Sequence, residues 1–104
     1  MPGVARKDGT DSVDSPDGTG YNCASPTIQA TDGGSLDVFV NGIGVVREND
    51  PMTPHAAPGC STHAPTLSTF SPTVFVNGLR IGRLGDAYDG DHIITSASTD
   101  VIVN

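Results

Sequence analysis

The chain contains three histidines and two cysteines, and it places His55, Cys60 and His63 within "PHAAPGCSTH". Imidazole nitrogen and thiolate sulfur are the ligands Zn²⁺ favours, in closed tetrahedral sites of four. Cys60 and His63 have a C-x₂-H spacing, which lets one tight turn hold one ion. His55 lies five residues before Cys60 and can fold back onto the same centre. Gly and Pro break up this stretch, so it reads as a loop. The third histidine, His92 in "YDGDHII", lies in a later loop and would supply a fourth ligand. Asp91, beside it, could be a ligand instead, or could support a ligating imidazole. Iron is the alternative metal where the site is octahedral or all-nitrogen.

Such a loop needs elements to hold it, and the repeat frame indicates them. "VFVNGIGVVREND" begins at Val38 and "VFVNGLRIGRLGD" at Val74, and "VIVN" closes the sequence at Val101–Asn104. "VARKD" at Val4–Asp8 resembles the second half of the unit, which makes Arg6, Arg47 and Arg83 equivalent. A chain that starts in the second half of a repeat and finishes in the first is arranged to close on itself. Each unit predicts a β-hairpin. Val-Phe-Val suits a strand, and Asn-Gly favours the positive φ values of a type I′ turn. A short second strand follows, over Ile43–Arg47 or Leu79–Leu84, and Asp50 or Asp86 then opens a loop. No window carries a helical period. The expected fold is all-β, one domain over residues 1–104, with three similar sides.

The bulk composition agrees. The 104 residues include no Trp and few large apolar side chains, and 13 Gly and 8 Pro make up about a fifth of the chain. A small Gly/Pro-rich domain often needs a staple such as a metal, a disulfide or a partner subunit. The net charge of −7 argues against a nucleic-acid binder and against adhesion to anionic membranes. The N-terminus has no apolar signal region, and no run of about 20 apolar residues is present. The expectation is a chain made in a cytoplasm.

Together, "SPTVFVNGLRIGRLGD" (71–86), "SLDVFVNGIGVVREND" (35–50) and "DPMTPHAAPGCSTH" (50–63) resemble the PAAR-repeat proteins, over nearly the whole chain. The naming tetrad is degenerate here: 44–47 reads Gly-Val-Val-Arg and 80–83 reads Arg-Ile-Gly-Arg, so only the final Arg survives. The resemblance implies a small three-sided β cone with internal pseudo-threefold symmetry and a metal near its apex, usually zinc. It implies a structural role, as the sharp tip on the trimeric β-helical spike of a contractile phage tail or type VI secretion system, which helps pierce an envelope. It also suggests a metal site of three His and one Cys, here His55, Cys60, His63 and His92. No effector extension is expected, nor any nucleic-acid or stable membrane partner. The docking base is expected at Val38, Val40, Val74, Val76, Val101 and Val103.

Several alternatives stand beside this. Cys23 holds a place equivalent to Cys60 in the preceding repeat, 15 residues before Val38 against 14 before Val74. It could be a ligand, a disulfide partner or a buried apolar side chain. "DGTDSVDSPDG" spaces Asp8, Asp11, Asp14 and Asp17 three apart, but it lacks the alternating acids and closing Glu of a calcium loop, so it reads as a solvated acidic loop. No G-x-S-x-G, H-E-x-x-H or P-loop is present. The alternative function is a small zinc hydrolase acting on the cell envelope, which would need an open metal position and a base such as Asp91.

Overall fold

A computed structural model describes residues 2–15, 27–54, 62, 64–89 and 92–104. All regular elements among them are strands: β1 (Ser12–Ser15), β2 (Thr27–Ala30), β3 (Phe39–Val40), β4 (Ile43–Gly44), β5 (Phe75–Val76), β6 (Leu79–Arg80), β7 (Ala87–Tyr88) and β8 (His92–Ile94). The all-β expectation holds. No helix among the described residues is long and apolar enough to cross a membrane.

Both Asn-Gly pairs make the expected turns. Asn41 and Gly42 have φ of 55° and 77°, and Asn77 and Gly78 repeat those values. They set the β3–β4 register at Val40↔Ile43 and the β5–β6 register at Val76↔Leu79. The third copy is assembled from distant parts of the chain. Ile102 bridges Gly3, and Val103 N–H donates to the Pro2 carbonyl at 3.0 Å.

The residues that precede the three arginines form a closed cycle of hydrogen bonds. Ala5 N–H donates to Gly82 O at 3.0 Å, Gly82 N–H to Val46 O at 2.8 Å, and Val46 N–H to Ala5 O at 3.0 Å. Bridges Arg6↔Val45, Arg47↔Ile81 and Val4↔Arg83 run around the same cycle. Closing the three segments on one another pairs backbone groups that would otherwise be left along strand edges.

Alternate residues of these segments feed two apolar clusters. Val4, Val45 and Ile81 pack with Val40 and Val76, and Val74 and Val103 lie against them. Ala5 and Val46 pack instead with Val13, Met52, Leu67, Tyr88 and Ile94. The second cluster is backed by an antiparallel sheet in the order β2-β1-β8-β7. The molecule measures 38 × 24 × 21 Å.

The acidic stretch departs from expectation. Its Ser12–Ser15 portion is strand β1, with Val13 buried in the second cluster. Asp11 is fully buried, because the Arg6 fork takes the place of its water. The acid equivalent to Asp50 and Asp86 is therefore Asp11, and not Asp8. Asp8 sits two residues after its arginine with φ of 60°, the place held by Asn49 (68°) and Gly85 (88°) in the other units. Gly9 and Thr10 lengthen the turn and delay the acid.

Candidate metal centre and docking face

His92 opens β8 directly after the β7–β8 turn, opposite Tyr88 in register, and is 1% exposed. Its Nδ1 lies 2.8 Å from the Asp89 carbonyl oxygen. A carbonyl only accepts, so Nδ1 donates this bond. That is how imidazoles that bind metals are commonly oriented, with the second ring nitrogen held by a carbonyl or carboxylate. Burial and this ring orientation fit a zinc ligand.

His55, Cys60 and His63, with Cys23 and Asp91, lie outside the described residues. The backbone on either side of residues 55–63 is hydrogen-bonded. Thr53 N–H donates to Ala30 O at 3.0 Å as the chain leaves the sheet, and Met52 N–H donates to Pro65 O at 3.0 Å where it returns. The next residue, Thr66, accepts from Asp89 N–H at 3.0 Å, and its hydroxyl contacts Asp89 Oδ2 at 3.3 Å. Asp89 thus joins Thr66 to the ring of His92. His63 is three residues from Thr66, a reach of at most about 10 Å. Among the described residues, no group of three or more His, Cys, Asp or Glu side chains converges on a common point.

The hairpins supply a different surface. Phe39, Phe75 and Ile102 hold the same position in the three copies and are 56%, 54% and 55% exposed. Leu36, Val38 and Val101 add exposed apolar area beside them. Of the six valines expected at a docking base, Val38 and Val101 are exposed. Val40 and Val76 are buried in the first cluster, with Val74 and Val103 packed partly against it. Successive strand residues face opposite ways, so the middle residue of each Val-x-Val points out. In a wholly apolar triplet, the sequence carries no alternation to reveal this.

A polar network ties the hairpins together. In each unit one Asp oxygen accepts both the backbone N–H and Nε of its Arg, while the other accepts Nη2: Asp11 with Arg6, Asp50 with Arg47, Asp86 with Arg83. These bonds push the guanidinium pKa values further up. A second layer links neighbouring units. Asn77 Oδ1 accepts from Arg47 Nη1 at 3.1 Å and from Ser35 Oγ at 2.7 Å, while its Nδ2 donates to Asp37 at 2.9 Å. Asn41 repeats this with Arg6 at 3.3 Å, Ser98 at 2.7 Å and Asp100 at 2.9 Å. Bonds from Asn77 and then Ser35 hold the Asp37 pKa below the ordinary carboxylate value. The available sequence signal was a serine three residues before each Val-x-Val-Asn: Ser35, Ser71 and Ser98.

Comparison of the chain with protein-family models and with curated proteins gives no match.

Proposed function

We propose that this chain is a structural, metal-stabilised tip that caps the trimeric central spike of a contractile injection machine and helps it pierce a target envelope. The supporting observation is the one-per-unit placement of Phe39, Phe75 and Ile102, each paired with one of the three segments that close into a cycle. In this reading the chain is a three-sided cone with pseudo-threefold symmetry. A monomer with three similar sides can seat each of them on one subunit of a trimer. The apolar residues belong to the base, and strand edges beside them extend the spike's backbone hydrogen bonding, as in strand addition.

In this reading His92 belongs to the apex, and Asp89, which bonds to its ring, also bonds to Thr66, three residues after His63. His55, Cys60, His63 and His92 would hold zinc, or iron in its place, near the apex. The metal would supply cross-linking where a narrowing end leaves no room for an apolar core. Four protein ligands leave no open position for substrate, so the role is mechanical and the chain is not an enzyme. The closed backbone cycle and the Arg–Asp pairs resist deformation under axial load. Assembly places the chain at the tip of a phage tail or secretion spike.

The test is native mass spectrometry of the chain mixed with its cognate spike. One chain per three spike subunits is expected, and absence of a complex at micromolar concentrations would overturn the reading.

A further inference from the structure

The three units differ at one position of the hairpin face. Gly3, Gly44 and Arg80 are equivalent, each paired with the outward residue of its unit: Gly3 with Ile102, Gly44 with Phe39, and Arg80 with Phe75. Gly3 and Gly44 are buried, and no larger residue fits in their place. A Cβ at Gly3 would strike the Ser98 carbonyl oxygen, and one at Gly44 the Ser35 carbonyl oxygen. Arg80, in contrast, is exposed. A second position changes with it. Gly34 and Ala97 precede Ser35 and Ser98, but Phe70 precedes Ser71. The two large residues meet. The Arg80 guanidinium carbon lies 5.5 Å from the centre of the Phe70 ring and 5.6 Å from that of Phe75. One unit therefore holds a cation against two aromatic rings where the others carry small residues.

That cation has no carboxylate of its own. The chain has five Lys and Arg residues. Arg6, Arg47 and Arg83 are each paired with an aspartate, and Lys7 lies 3.6 Å from Asp8. The Arg80 guanidinium makes no ion pair among the described residues, although the chain has twelve acidic ones. Glu48 is beside it, but Glu48 Oε1 accepts from the Arg80 backbone N–H, at 2.8 Å. A guanidinium held on ring faces keeps its N–H edge for a planar acceptor, and a carboxylate takes two of those N–H groups at once. A net charge of −7 opposes a polyanion but not a single acid facing this cation. Arg and aromatic side chains are also the types that dominate binding energy in protein interfaces. We infer that Arg80, backed by Phe70 and Phe75, anchors one Asp or Glu side chain of a partner protein, with an apolar neighbour of that acid covering the exposed Phe75 ring. The identity of the partner as the spike rests on the cap reading. Of three equivalent acids in the trimer, one meets Arg80 and the other two face Gly3 and Gly44.

Arg80→Leu removes the charge and keeps an apolar cover over Phe70. Parent and variant are titrated calorimetrically against the spike trimer at low and high salt. The variant should bind at least about tenfold more weakly at low salt, and the gap should narrow as salt rises. Arg80→Lys, which keeps the charge without the fork, should fall between them. A variant that melts lower but binds as the parent does would make Arg80 a cover for Phe70 and overturn the site. A gap that salt leaves unchanged would overturn the carboxylate, because lost packing would then set it. The site is also read without the spike, by NMR on the full chain. The probe is the peptide Leu-Glu-Leu blocked at both ends, and Leu-Gln-Leu is its neutral control. Shifts at the Arg80 Nε–H and the Phe75 ring are expected with the Glu peptide, weaker with the Gln peptide, and the ring shifts should be lost in Arg80→Leu. Equal responses to the two peptides, or none to either, would overturn the site. A chain that responds to the Glu peptide but binds no spike would sink the cap reading and leave the carboxylate site standing.

Discussion

Asn77 lies at the tip of its own hairpin, yet its side-chain oxygen accepts a hydrogen bond at 3.1 Å from Arg47, thirty residues earlier in the preceding repeat. One residue therefore both makes a turn and joins two units. The two roles can be separated. Asn77→Gly keeps the positive φ that the turn demands, since Gly adopts it freely, and removes only the side chain. Loss of the bonds to Arg47, Ser35 and Asp37 should cost about 1–2 kcal/mol. Urea denaturation would register this as a lower midpoint with an unchanged slope. No change in midpoint would mean that these bonds contribute nothing.

The buried ion pairs make a sharper contrast. Asp11 is fully buried and accepts three bonds from Arg6, whereas Asp8 is exposed and lies 3.6 Å from Lys7. Removing one partner of a buried pair leaves the other charge uncompensated, so Asp11→Ala should destabilise by about 3 kcal/mol. Asp8→Asn preserves a residue tolerant of positive φ and should stay within about 0.5 kcal/mol of the parent. Thermal denaturation of the two variants side by side checks the assignment. Equal effects would return Asp8 to the role that the match of "VARKD" to the other two units indicates.

That misplacement shows what could be read from the chain. The hairpins were legible because Asn-Gly encodes a local backbone requirement, met at Asn41–Gly42 and Asn77–Gly78. The shared frame of Arg6, Arg47 and Arg83 was legible because repetition is visible without a structure. The substitution of Asp11 for Asp8 depended on a two-residue lengthening of one turn, which spacing alone does not resolve. The sheet around β1 was missed because Val13 is the only large apolar residue in an acidic run. The outward set Phe39, Phe75 and Ile102 was missed because the residues on either side are equally apolar. His92 was picked out by residue type, but its orientation by Asp89 depends on the β7–β8 turn.

Tyr88 carries a cost within the second cluster. It is fully buried, and its hydroxyl has no hydrogen-bond partner among the described residues. Tyr88→Phe removes that hydroxyl and should stabilise the fold by about 1 kcal/mol. Burial first, then the negative charges of Asp50, Asp11 and Asp32, raise the Tyr88 pKa well above its ordinary value of 10.0. A group with a raised folded-state pKa contributes fully below its unfolded pKa and loses that contribution as pH rises. Stability should therefore decline above about pH 10, and less steeply in Tyr88→Phe. Parallel slopes for the two proteins above that pH would show that Tyr88 is not the group responsible.

The exposed apolar set separates docking from folding. Phe39→Ser and Phe75→Ser change side chains that are more than half exposed, so the melting temperature of the free chain should change little. In a complex each ring would be covered, a loss of about 2 kcal/mol per residue on substitution, or roughly thirtyfold in Kd. Calorimetric titration against the spike trimer measures this. Unchanged affinity in the double variant would move the docking face elsewhere on the molecule.

His92 makes the most direct prediction, because the metal can be counted. The purified chain should contain about one zinc per molecule, as four protein ligands close a single tetrahedral site. His92→Ala should lose that metal and melt well below the parent. Lost packing at a buried position would lower the melting temperature by itself, so metal content measured by mass spectrometry is the deciding readout. A chelator should reproduce the loss of stability in the parent and do little to the variant. Acid should release the metal, because imidazole and thiolate bind it only when deprotonated. Stoichiometric iron would preserve the cross-link and change its coordination geometry. A well-folded parent free of metal would leave His92 as a core histidine held by Asp89, and "PHAAPGCSTH" would have no ion to bind.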